Sequence, residues 1–153
     1  MVARLADRFK AAQGAPIEVD GRLVQMMYEL PPIQAPAELR VELETASTRP
    51  QGVRLKARGG DVVLNDQALD DVVLWSDTAP PLVTAELRPK SKREPMSVRV
   101  WNVWRDDVGT MQAWIGDAGL VVEDEQAGRV ILGCSDGFDQ PNFGDLRVKL
   151  TLR

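Results

Sequence analysis

The constraint that narrows the fold most is a period of two in hydropathy, repeated in short segments along most of the chain. Leu39, Val41 and Leu43 alternate with Arg40, Glu42 and Glu44, and Val53, Leu55 and Ala57 alternate with Arg54, Lys56 and Arg58. Val83, Ala85 and Leu87 form another such row, and Leu146, Val148, Leu150 and Leu152 alternate with Arg147, Lys149, Thr151 and Arg153. Successive strand residues point to opposite faces, so each segment predicts a strand with one buried and one wet face. Gly, Pro, Asn and Asp fall between the segments at spacings of roughly 8–12 residues, the pattern of an all-β sandwich or barrel. Nothing after residue 14 has the length and period of a crossover helix. The predicted fold is therefore all-β: an antiparallel β-sandwich of jelly-roll type with one short N-terminal amphipathic helix.

That helix is predicted over residues 2–12, where Val2, Leu5, Ala6 and Phe9 stand at i, i+3, i+4 and i+7 before Gly14 and Pro16. Residues 1–14 are then a helix packing on the sheet, and residues 15–153 a single sandwich domain, a length that suits one core. Cys134 is the only cysteine and ends an apolar run, so it reads as a small core side chain rather than a nucleophile. The chain has no histidine, which excludes a Ser-His-Asp triad and an imidazole base. The opening residues carry charges throughout and lack the apolar segment of a signal peptide, and no run is long enough to span a membrane. With the unpaired cysteine this points to the cytoplasm. The net charge of −4 argues against nucleic acid as a partner.

Turn signals order the strands. Asp20-Gly21 predicts a two-residue hairpin between Ile17–Val19 and Arg22–Val24, whose second arm continues toward Leu30. Gly59-Gly60 reads as a hairpin turn into DVVL at 61–64, and Asn65-Asp66 as a turn toward the matching DVVL at 71–74, so that the echo forms one hairpin. Residues 88–95 (RPKSKREP) are predicted to protrude as a basic loop.

The stretch 96–134 holds three of the four tryptophans. A four-residue loop at 106–109 would pair Arg105 with Thr110, Val103 with Gln112 and Trp101 with Trp114. One face would then carry Trp101 and Trp114 framed by Arg99, Arg105 and Gln112, with Val121, Glu123, Arg129 and Ile131 alongside. The opposite, core face would carry Val100, Asn102, Trp104, Met111, Ala113, Ile115, Leu120, Val122, Val130 and Leu132. A turn at 124–128 would set Glu123 beside Arg129, Val122 beside Val130 and Val121 beside Ile131. Asn102 would need hydrogen-bond partners, because an unpaired buried amide costs about 1–3 kcal/mol. The Trp face has two readings: a platform on which a sugar ring or a partner's side chain stacks, or a second packed layer covered by the N-terminal helix. Trp75 reads as core or rim.

The loop 135–145 (SDGFDQPNFGD) groups Asp136, Asp139, Asn142 and Asp145, hard oxygen donors of the type calcium takes, though their spacing matches no EF-hand. The same residues serve ordinary turns. No other cofactor is implied. A non-catalytic ligand-binding or interaction module follows, with a carbohydrate-like or protein ligand on the Trp face and no nucleic-acid or membrane partner. The alternative is a small acidic cytoplasmic protein that neutralises or escorts a partner, as immunity and adaptor proteins do. A carboxylate-dependent hydrolase is the further alternative.

Overall fold

The computed structural model describes residues 3–138 and 140–153. One helix, α1 (Leu5–Ala11), precedes strands β1 (Ile17–Val19), β2 (Arg22–Gln25), β3 (Tyr28–Glu29), β4 (Ala37–Thr45), β5 (Gln51–Arg58), β6 (Gly60–Leu64) and β7 (Gln67–Leu69). They are followed by β8 (Asp71–Trp75), β9 (Leu82–Pro89), β10 (Ser97–Arg105), β11 (Met111–Gln112), β12 (Gly119–Gln126), β13 (Arg129–Ser135) and β14 (Leu146–Leu152). The larger sheet runs β1-β2-β12-β13-β14-β4-β9-β6-β7, and the smaller runs β11-β10-β5-β8 with β3 also on β10. Two antiparallel sheets make the sandwich that the alternation predicts; the finer jelly-roll expectation is not carried by this strand order. Between the sheets lie Leu39, Val41, Val53, Leu55, Val98, Val100, Leu132, Val148 and Leu150, all fully or almost fully buried.

Local chemistry explains where the predicted turns hold and where they do not. Asp20-Gly21 joins β1 to β2 with both φ values positive, at 50° and 79°, a backbone whose twist suits the flanking strands. Asn65-Asp66 does the same at 49° and 64°, but it leads into β7, not into the second DVVL. That second DVVL belongs to β8, which pairs with β5 in the other sheet. The echo is therefore not one hairpin. Nor is Gly59-Gly60 a hairpin turn, because β5 lies in the smaller sheet and β6 in the larger. Gly59 has φ +77°, and a Cβ on Gly60 would lie 2.5 Å from the Met96 sulfur and 2.7 Å from the Arg88 carbonyl. The chain changes sheet there through a corner too tight for side chains. The basic loop is shorter than predicted, since β9 runs through Pro89.

The tryptophan register also differs. Arg105 pairs with Met111 and Trp104 with Gln112, so the loop is five residues, 106–110. Asp106 sets that length: its Oδ1 accepts the amides of Val108 at 3.0 Å and Thr110 at 2.9 Å. The slip by one moves Met111 off the core face, where it and Ile115 are exposed at 39% and 49%. Strand β12 pairs with β2 and β13 in the larger sheet, not with β11 of the smaller. Leu120 accordingly faces Gln25 and Cys134. At the next turn the strands run on to Gln126 and Arg129, and a bulge at Glu123 shifts the register so that Val122 meets Leu132.

Helix α1 packs on the outer side of the larger sheet, where Leu5 and Phe9 meet Ile17, Val24 and Val121. It does not cover the tryptophans. Val2, placed on its stripe by the sequence, lies outside the described residues. The helix carries no side-chain cap of its own; the Leu5 amide donates to Asp117 Oδ1 at 3.1 Å and the Ala6 amide to the Gly116 carbonyl at 2.9 Å.

Residues 113–118, which supply those acceptors, cross from the smaller sheet to the larger at one end of the sandwich. Gly116 has φ +58° and sits back to back with Gly137. A Cβ on Gly137 would lie 2.5 Å from Cζ2 of Trp104 and 2.6 Å from the Ile115 carbonyl. Gly137→Ala should therefore lower stability by about 1–3 kcal/mol, the usual cost of overpacking. Urea unfolding checks this, and an unchanged midpoint would contradict the packing described.

Candidate functional site

The outer face of the smaller sheet is built from alternate residues of three strands. Trp75, Gly52 and Val103 form one row across it, and Val73, Arg54 and Trp101 the next. Gly52 is what lets the Trp75 indole lie on the sheet, because a Cβ there would come within 2.8 Å of Trp75 Cε3. Above the indole stands the Arg105 guanidinium, 4.2 Å from the ring centroid, held by Asp77 at 2.9 Å. In the second row Arg54 lies 5.5 Å from the Trp101 ring and grips Asp71 through two bonds of 2.9 and 2.6 Å.

Trp114 reaches Trp101 by a route other than the predicted cross-strand pairing. Its backbone is left-handed, with φ +59°, which for a bulky residue costs of order 1–3 kcal/mol and must be held by its surroundings. Its Nε1–H donates to the Met26 carbonyl at 3.0 Å, and its ring stacks on Trp101 with centroids 4.9 Å apart and planes tilted by 31°. Trp101 is thereby left 7% exposed, and its Nε1–H has no acceptor among the described residues.

Of the residues singled out in the sequence, Trp101, Trp114, Arg99 and Arg105 do gather on this side of the sheet. Arg99 sits at its margin, 3.6 Å from Glu29, and Gln112 is drawn to Asp106 at 3.0 Å. Sequence reasoning passed over Arg54 and undervalued Trp75. Their parity matches that of Trp101, but only the alignment of β5 between β10 and β8 brings them beside it.

The loop 135–145 serves a different end. Gln51, Asn102, Ser135 and Asp136, the buried polar side chains among the described residues, converge at its base. Asn102 finds its partner there, donating to the Ser135 carbonyl at 2.9 Å. Asp136 Oδ2 accepts from Gln51 Nε2 at 2.9 Å and Arg49 Nη1 at 3.3 Å, while Oδ1 accepts the Phe138 amide at 3.0 Å. Arg49 in turn covers the Phe138 ring, 3.4 Å from its centroid. Both carboxylate oxygens of Asp136 are thus engaged, Oδ2 by a guanidinium and an amide and Oδ1 by a backbone N–H. Among the described residues no three Asp, Glu or Cys side chains stand close enough to hold a metal; Asp139 lies outside them. Asn142 caps the turn by accepting the Gly144 amide at 2.9 Å. Cys134 is buried in the core, and that burial pushes its thiol pKa up, away from nucleophilic use.

Among the described residues no helix is long and apolar enough to cross a membrane. No protein-family model, curated protein or solved structure matches this chain.

Asp145 gives the loop a pH dependence. Burial chiefly, and then the nearby Asp136 charge, push its carboxyl up to about 6 against the pull of the Asp136 amide, which it accepts at 3.1 Å. A carboxyl raised in the fold favours the native state while protonated, and that contribution is lost as pH rises through the folded value. Asp145→Asn keeps the acceptor and removes the charge. Its melting temperature relative to wild type should rise between about pH 4 and about pH 7 and level off above that. A difference that stays flat across this range would contradict the arrangement.

Proposed function

We propose that the chain is a non-catalytic interaction module that docks a polypeptide on the smaller sheet, along edge strand β8 and the Trp–Arg surface beside it. The observation that carries this is the edge of β8 away from β5, which pairs with no other strand among the described residues. The Ser76 amide bonds to the Gln51 carbonyl and the Ala57 amide to the Asp70 carbonyl, which fixes the alternation between β5 and β8. Val72 and Leu74 therefore turn their backbone groups toward β5, and Val73 turns its N–H and C=O outward. An extended peptide can add there as a further strand.

Other edges and faces are guarded. Edge strands β1 and β7 span three residues each and β11 two, whereas β8 spans five with no Lys, no Pro and one charge, Asp71, already held by Arg54 and Lys56. The outer face of the larger sheet is laced by Glu38–Arg40, Glu42–Lys149, Glu86–Arg88 and Glu123–Arg147 pairs at 2.8–3.6 Å. Beside β8, the indole of Trp75 and the guanidiniums of Arg54 and Arg105 supply the residue types that dominate binding energy in protein interfaces. A protein ligand suits this surface better than a sugar, because Trp114 already covers Trp101 and Arg105 already covers Trp75. The net charge of −4 favours a protein over nucleic acid as the partner.

Val73→Pro tests the edge, since the backbone N–H it removes is the outward one and the β5 ladder stays whole. Polypeptides captured from the native host and identified by mass spectrometry should be held by the wild type and by Arg40→Gln, on the larger sheet. Val73→Pro should lose them, with affinity reduced at least about tenfold and a melting temperature close to wild type. Equal capture by Val73→Pro, or no polypeptide captured by the wild type, contradicts the reading.

A further inference from the structure

At another margin of the sandwich, away from β8, the two sheets part between β3 and the β12–β13 hairpin around a pocket of about 530 Å³. That lies within the roughly 300–1,000 Å³ range of small-molecule sites. Leu30, Val130, Leu150 and Leu152 floor it, and the Tyr28 ring and Glu125 form its rim. The Tyr28 hydroxyl donates to Glu125 Oε2 at 2.8 Å, closing one side of the mouth.

The charges at the rim do not balance. Arg129, the cation of the lining, is engaged with Asp124 at 3.0 Å, and no Lys or Arg pairs with Glu125 among the described residues. Burial and the Glu125 partner push the Tyr28 pKa up to about 12, so the phenol stays a neutral donor and adds no positive charge. An apolar floor is thus overhung by one carboxylate without a cationic partner among the described residues and by one aromatic side chain. The larger cleft beneath α1 offers no such selection, since Arg4 there is paired with Asp117 at 3.5 Å and Arg8 with the Glu18 carbonyl at 2.6 Å.

We propose that this pocket binds a small organic cation, an ammonium group on a short aliphatic body, with the ammonium at Glu125 and the Tyr28 ring and the hydrocarbon over Val130 and Leu150. The ammonium finds both a counter-charge and a ring face, while its tail replaces water against leucine and valine. The site is independent of the β8 edge, so either proposal can fail alone.

Titration with hexylammonium, hexanol and hexanoate, followed by methyl NMR, tests it. Hexylammonium should shift the methyls of Leu30, Val130 and Leu150 and bind at least about tenfold more tightly than hexanoate. Glu125 is exposed, so Glu125→Gln should fold normally, and it should bring hexylammonium down to the affinity of hexanol. Equal binding of hexylammonium and hexanoate, unchanged affinity in Glu125→Gln, shifts centred elsewhere, or no shifts at all would each overturn the proposal.

Discussion

One hydrogen bond, from the Trp114 indole to the Met26 carbonyl, holds together parts of the molecule that backbone ladders do not join. Met26 lies between β2 of the larger sheet and β3 of the smaller, so the bond ties the passage between sheets to the face of the smaller one. It also sustains the left-handed backbone of Trp114, which then caps Trp101. The residues that follow hand their acceptors to the start of α1 and press Gly116 against Gly137, beside the Trp104 ring. Helix, crossing segment and acidic loop therefore meet at residues 114–117. Loss of a neutral hydrogen bond of this kind costs only about 1 kcal/mol in itself. The strained backbone it maintains makes its consequences larger than that.

The layered face that results explains why aromatic residues sit on the solvent side of a sheet without forming an open apolar patch. Gly52 makes room for Trp75, Arg105 lies over Trp75, and Trp114 lies over Trp101. One indole under a guanidinium and another under a second indole give a surface whose apolar area is partly covered, with ion pairs at its rim. Side chains already held in this way would lose little conformational freedom if a partner covered them, as the proposed docking requires. The neighbouring strand edge adds backbone hydrogen bonding to the guanidinium donors of Arg54 and Arg105.

Much of the fold was legible in the sequence because alternation reports which side of a strand is buried. It located β4, β5, β9, β10, β13 and β14, while the Asp20-Gly21 pair located the tight turn between β1 and β2. Alternation does not report which sheet a strand joins. The repeated DVVL segments look alike, yet one entered each sheet, because the corner at Gly59-Gly60 depends on contact with Met96 and Arg88, far along the chain. The Trp hairpin failed for a local reason: Asp106 accepts two loop amides and lengthens the turn by one residue. The Trp101–Trp114 contact was nevertheless anticipated, by a register that does not occur. The candidate surface was half legible, since Arg54 and Trp75 gain meaning only from the order β10-β5-β8.

Docking by strand addition requires β8 to be an unoccupied edge whose alternate backbone groups face outward, and amide hydrogen exchange in the free protein, resolved residue by residue by NMR, tests that most directly. Val72 and Leu74 should exchange slowly, as donors to β5, while Val73 between them exchanges at a rate typical of exposed backbone. Protection of Val73 equal to that of its two neighbours would mean that the edge is already covered, and the docking surface would not exist.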